Sequence, residues 1–204
     1  MKRDWMKFWL CVSLLLVGQS FPAFGAQMTR RMAPQGASKV SAHGANETLL
    51  AGLRPGRDTF AMAGKRFKSK NLIEDRDSGI KEWRDGCSGR AIRLELDAKS
   101  VIQSITITTL GSREGKCGER RADFLESKNW VTGLGLRIGD SQDRIIEFYG
   151  DPNSSGPAVK NGVELELMFY QFDWAGSEVP QVMEVLCARD TGRVVEITLA
   201  FPSL

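Results

Sequence analysis

Apolar and polar residues alternate in two stretches of the chain, one near the middle and one at the end. Ala91 to Asp97 and Val101 to Thr109 alternate around Ala98-Lys99-Ser100, and Gln181 to Arg189 and Arg193 to Phe201 do so around Asp190-Thr191-Gly192. Each pair predicts a β-hairpin. Ile80 to Arg84 predicts a short strand before the first hairpin. Val163 to Trp174, entered from the tight-turn pair Asn161-Gly162, predicts a longer one before the second. Helical spacing lies upstream of both sets. Phe60, Ala63, Gly64 and Phe67 follow Asp58, a residue suited to an N-cap. Ile145, Ile146, Phe148 and Tyr149 follow Asp140-Ser141-Gln142-Asp143 and stop at Gly150-Asp151-Pro152. Glu119 to Asn129 is a further helical candidate between the two sets, with Ala122 and Leu125 leaving its period open.

The two sets echo each other in detail. Gly52-Leu53-Arg54-Pro55-Gly56 recurs as Gly135-Leu136-Arg137-Ile138-Gly139, displaced by 83 residues. Ile102-Gln103-Ser104-Ile105-Thr106 is answered by Val194-Val195-Glu196-Ile197-Thr198, displaced by 92. The difference places about nine extra residues in the second copy, most simply between Val163 and Pro180. The expected fold is therefore α+β: two tandem helix-plus-antiparallel-sheet units, residues 48–117 and 118–204, each with about one helix packed on three strands.

The beginning of the chain adds an address. Met1-Lys2-Arg3-Asp4-Trp5-Met6-Lys7 is basic, Phe8 to Val17 is apolar, and small residues at Ala23 and Gly25 suit cleavage. Residues 1–26 thus read as a secretory signal peptide, with a mature start at Ala26 or Gln27. An apolar run of about ten residues is too short for a membrane span, which needs roughly 20, so no permanent span is expected after cleavage. Residues 27–47, rich in Ala, Ser, Gly and basic residues without an apolar period, are expected to be a disordered tail. The whole chain carries 28 Lys and Arg against 25 Asp and Glu. Removing Lys2, Arg3, Lys7 and Asp4 leaves the rest almost neutral, which argues against nucleic acid as a partner.

Cys11 leaves with the leader, so Cys87, Cys117 and Cys187 remain. Cys87 and Cys117 lie in glycine-flanked segments on either side of one predicted strand pair and are the expected disulfide in a periplasmic or secreted protein. Cys187, inside the strand pattern Met183 to Ala188, is expected as a core thiol. No metal site or cofactor is expected. The cysteine spacing suits neither, and the single histidine, His43, falls in the tail.

Gly135-Leu136-Arg137-Ile138-Gly139-Asp140-Ser141, the helix after it and Tyr149-Gly150-Asp151-Pro152 resemble a phrase of small exported bacterial proteins. Those include the outer-membrane assembly lipoproteins of the SmpA/OmlA type and, with two copies in tandem, the β-lactamase inhibitor proteins. The chain departs from them in lacking a lipid-attachment cysteine and in having Arg66-Phe67-Lys68-Ser69 where the first copy would end in Tyr-Gly-x-Pro. The resemblance implies action by binding proteins rather than by catalysis.

Candidate chemistry is sparse. Without a histidine in the folded part, a Ser-His or Cys-His nucleophile has no base, so no catalytic residue is assigned. Glu164 with Glu166, Glu95 with Asp97, and Cys117 beside Lys116, Arg113, Arg120 and Arg121 are the groups an enzyme would use. The feature that invites a binding role is the strand after Gly162. Val163, Leu165, Leu167 and Phe169 form one apolar face, and Glu164, Glu166, Met168, Tyr170, Phe172 and Trp174 the other. Either a second layer covers those aromatics or they await a partner. The expected function is an exported module that binds another protein or a cell-envelope component through a sheet face. The alternative is an envelope enzyme with a carboxylate or thiol site.

Overall fold

The computed structural model of the protein describes residues 46–67, 72–75, 79–111, 126–172 and 181–201. The expected leader, nearly all of the tail, Cys117, Trp174 and most of the helical candidate Glu119 to Asn129 lie outside these residues. The end of that candidate is a 3-10 turn, Ser127–Asn129.

The chain forms a helix α1 (Phe60–Phe67) and strands β1 (Leu72–Asp75), β2 (Ile80–Asp85), β3 (Arg90–Leu96) and β4 (Ile102–Thr108). It then forms a helix α2 (Gln142–Tyr149) and strands β5 (Ser154–Lys160), β6 (Val163–Phe172), β7 (Gln181–Ala188) and β8 (Val194–Ala200). All eight strands belong to one antiparallel sheet in the order β1-β2-β3-β4-β8-β7-β6-β5. This overturns the expected architecture of two units with a helix on three strands each. Two physical reasons account for the difference. Each half has a further strand that sequence pattern hides: β1 is only four residues long, and Ser154-Ser155-Gly156-Pro157 at the start of β5 has the composition of a turn. Both are edge strands, where proline is tolerated because a missing N–H costs no ladder bond. In addition, β4 and β8 do not end separate sheets but pair with each other, which satisfies the backbone edge that each would otherwise expose.

At that central pairing Thr106 lies opposite Thr198, and their hydroxyls are 2.9 Å apart. These residues are 92 apart, the displacement of the sequence echo, so equivalent positions meet face to face as they do on a two-fold axis. The segments just before the two glycine loops also meet: Leu50 bridges to Thr132, and the Ala51 N–H donates to the Val131 carbonyl. The repeated glycine loops make the same bonds in both halves. The Arg54 N–H donates to the Asp58 carboxylate at 2.9 Å, and the Arg137 N–H to Asp140 at 2.8 Å. Gly56 N–H donates to the Ile102 carbonyl and Gly139 N–H to that of Val194, which ties each loop to the first residue of β4 or β8. Asp58 therefore serves its loop rather than capping α1.

The register builds the core in rows that run across the strands. Trp83, Ile92, Ile107, Ile197, Val185 and Met168 are successive cross-strand partners on one face of the sheet. Both helices cover that face. Ala63 and Phe67 of α1 are buried, and the Phe67 ring meets Trp83 edge-on at 4.9 Å. Ile145 and Tyr149 of α2 are buried, with the Tyr149 ring 5.7 Å from Tyr170 and 6.1 Å from Phe172. Glu47, assigned by its sequence to the tail, is instead buried. Its carboxylate accepts the N–H groups of Thr48, Leu49 and Leu134 and the hydroxyl of Tyr149, so each oxygen is satisfied without a basic partner. Burial first, and the Glu47 carboxylate second, hold the Tyr149 hydroxyl well above its ordinary pKa, so it stays a donor.

Because Phe172 is buried against Tyr149 and Tyr170, Phe172→Ala is expected to cost about 3 to 5 kcal/mol of stability. Chemical denaturation monitored by tryptophan fluorescence measures it, and a loss below about 1 kcal/mol contradicts the packing.

Candidate functional site

Among the described residues the other face of the sheet carries no helix, and its middle, over β2, β3, β4, β8 and β7, is mostly polar. Its central row runs Glu184 of β7, Thr198 of β8, Thr106 of β4, Arg93 of β3 and Glu82 of β2, each the cross-strand partner of the next. Neighbouring rows add Glu196 and Arg84 on one side, and Ser104 and Glu95 on the other. Together they line a trough of about 620 Å³.

One wall of the trough is the tip of the β5–β6 hairpin. Asn161 and Gly162 both have positive φ, 53° and 75°, as a two-residue hairpin turn requires, and Asn and Gly are the residues that accept it. The tip folds over the sheet. The Lys160 ammonium reaches the Glu196 carboxylate at 2.6 and 2.7 Å, and the Asn161 amide donates to the Leu110 carbonyl at 2.7 Å. β5 stands three strands from β8 in the sheet, about 14 Å if flat, so this contact requires the hairpin to curl inward. The Glu196 side chain is only 7% exposed against 44% for Lys160, so the lysine supplies the counter-charge that a nearly buried carboxylate needs.

Most charges in the trough are paired within the protein. Arg84 and Glu82 are 2.5 Å apart, Arg93 and Glu95 3.3 Å, and Lys160 holds Glu196. Two features stay unmatched. Glu184 is exposed and has no ion-pair partner among the described residues, and the Arg93 Nε is a buried donor with no acceptor.

The structure corrects the expected binding stripe. Met168, Tyr170 and Phe172 are 1%, 2% and 5% exposed and belong to the core beneath α2, so they offer no surface to a partner. Trp174 lies outside the described residues. The strand is turned over relative to expectation. Of the residues assigned to the core, Leu165 is fully buried, but Leu167 and Phe169 are only half-buried on the face away from the helices, and Val163 is 39% exposed. Periodicity showed that the two faces of this strand differ but not which one meets the helices. Glu164 is exposed, and Glu166 is half-buried opposite Cys187, so the two do not converge on a cleft. Glu95 is engaged by Arg93, and Asp97 accepts the N–H groups of Lys99 and Val101 in the β3–β4 turn. Arg93, Thr106, Glu184, Glu196 and Thr198 were each visible as the polar half of an alternating strand. Their convergence on one face depends on strand order, which alternation does not encode.

Cys87 is disulfide-bonded and sits in the β2–β3 turn, where Asp85 accepts its N–H. Cys187 is a free, buried thiol, in keeping with its expected place in the core. Burial, with a smaller contribution from Glu166, pushes its pKa from about 9 up to about 11. Folding therefore favours the protonated thiol. That contribution is fully present below pH 9 and is lost as the pH rises through about 11. The melting temperature is expected to fall between pH 9 and 11, and to fall less in Cys187→Ala over the same interval. An identical decline in both proteins, measured by calorimetry, contradicts the linkage.

No protein-family profile and no curated protein matches the chain. Among solved structures, a DUF4309 family protein (YjgB) from Bacillus subtilis is similar at 11% identity, with a TM-score of 0.42. The similarity covers 74% of this chain and 83% of that one.

Proposed function

We propose that the chain is an exported binding module and that the trough on the open sheet face is where it engages another protein or a cell-envelope component. The observation that carries this reading is the asymmetry of the sheet. One face is sealed by two helices, while the other presents five strands of charged and hydroxyl side chains with no covering layer among the described residues. The lining is polar and open, unlike the mostly apolar, enclosed pockets that take small molecules. Side chains already held by ion pairs form a rigid surface, which lowers the ordering cost of docking. The tripartite pattern of residues 1–26 supports export, and the resemblance of the repeated glycine loops to those of exported binding proteins points the same way.

Thr198→Arg places a bulky cation at the centre of the trough, away from the core. Immobilised wild-type protein is expected to retain an envelope component that the Thr198→Arg variant loses, at unchanged melting temperature, while Lys65→Gln on the exposed side of α1 retains it. Equal retention by Thr198→Arg and wild type sinks the assignment of this face.

Export also bears on the cysteines. We pair Cys87 with Cys117, since Cys187 is free. Mass spectrometry of non-reduced exported protein is expected to give a Cys87–Cys117 peptide and a start at Ala26 or Gln27. Free alkylation of Cys117 contradicts the pairing.

A further inference from the structure

The trough contains seven charged side chains: Glu82, Arg84, Arg93, Glu95, Lys160, Glu184 and Glu196. Three ion pairs account for six of them, and Glu184 is the remainder. Arg93 is only partly used, because its one ion pair is made through Nη2 while its Nε is buried without an acceptor. The Arg93 side chain is nevertheless 43% exposed, so the open part of its guanidinium can take an acceptor from a ligand. An exposed carboxylate on the same row offers the opposite complement.

Glu184 and Arg93 lie on one cross-strand row, with Thr198 and Thr106 between them. Three strand steps separate them, about 14 Å along the row. That separation exceeds the span of an amino acid or a single sugar. It matches about four residues of extended chain at roughly 3.3 Å each. Between the two charges the Thr106 and Thr198 hydroxyls are half-exposed and offer hydrogen bonds to a backbone crossing them.

Resting on the reading of this face as the binding surface, we propose that Glu184 and Arg93 are paired charge subsites for an extended segment of a partner protein. The segment places a basic side chain on Glu184 and an acidic one on Arg93, about four residues apart. The mixed signs also set its direction. The opposite direction sets like charges together, which is how a polar face selects among partners of equal size.

A random peptide library displayed on phage and panned against the full protein tests this. Enriched sequences are expected to carry an acid and a base separated by about four residues. Glu184→Lys and Arg93→Glu are each expected to weaken a selected peptide about tenfold or more in fluorescence anisotropy. Exchanging the acid and base of that peptide is expected to restore binding to the double variant. Arg93→Gln, which keeps the charge change smaller, replaces Arg93→Glu if the reversal lowers the melting temperature. Peptides without the charge pair, indifference to both reversals, or no enrichment overturn the subsites. Peptides that lose binding to Thr198→Arg yet ignore the reversals overturn the subsites and leave the face intact. Peptides indifferent to Thr198→Arg overturn the face as well.

Discussion

The pairing of β4 with β8 is the constraint on which the rest of the molecule depends. Each strand ends a run of four, and alone would present an unpaired backbone edge. Joined, they place Thr106 against Thr198 and Ile107 against Ile197, so the apolar rows of the two halves become continuous. The helices then have a single surface to cover. The Gly56 and Gly139 loops are bonded to the first residues of these strands, so the pairing also fixes where α1 and α2 begin. A slip of one residue at the centre would turn every side chain of one half to the wrong face. The bridge between Leu50 and Thr132, which also joins the two halves, opposes such a slip.

Much of this was legible in the residues, and the illegible parts have physical causes. The four long alternating strands were visible because each has one buried and one wet face. Both helices were visible from their spacing, and the Gly150 stop is observed with φ 74° and its N–H bonded to the Ile146 carbonyl. β1 and β5 were hidden because edge strands need neither alternation nor strong strand formers: β5 has only Gly156 and Ala158 better than exposed. Glu47 was hidden because a buried carboxylate is recognisable only from its donors, and those come from residues 48, 49, 134 and 149. The aromatic run of β6 is plain in the sequence, but alternation alone does not say which face of the strand meets the helices. Val163, Leu165, Leu167 and Phe169 compete with Met168, Tyr170 and Phe172 for the core, and the larger aromatic set wins the helix side. Burying rings of that size is worth more than burying Val163 and Leu167, while Leu165 is buried all the same.

The candidate site was the least legible part, for a topological reason. Arg93 and Glu184 are 91 positions apart and share neither a strand nor a hairpin; the central pairing alone sets them on one row. Sequence reading looks for chemistry concentrated in short motifs. Here the chemistry is spread one residue per strand, and no motif of any length contains it.

The same arrangement explains why a face so rich in charge is stable without a partner. Exposed ion pairs contribute little to folding, commonly below about 1 kcal/mol, so Arg84 with Glu82 and Arg93 with Glu95 are poorly explained as stabilising devices. Glu196 is different. It is nearly buried, so removal of Lys160 would leave its charge without the partner that offsets its desolvation. The lysine comes from the hairpin tip, so the carboxylate that anchors the tip also shapes the trough wall. The hairpin tip is thereby held over the sheet by this ion pair and by the Asn161 hydrogen bond to Leu110, while Val159 near its end stays 73% exposed. A wall held in this way rests on the Lys160–Glu196 pair, which joins the shape of the trough to one contact between the hairpin tip and β8.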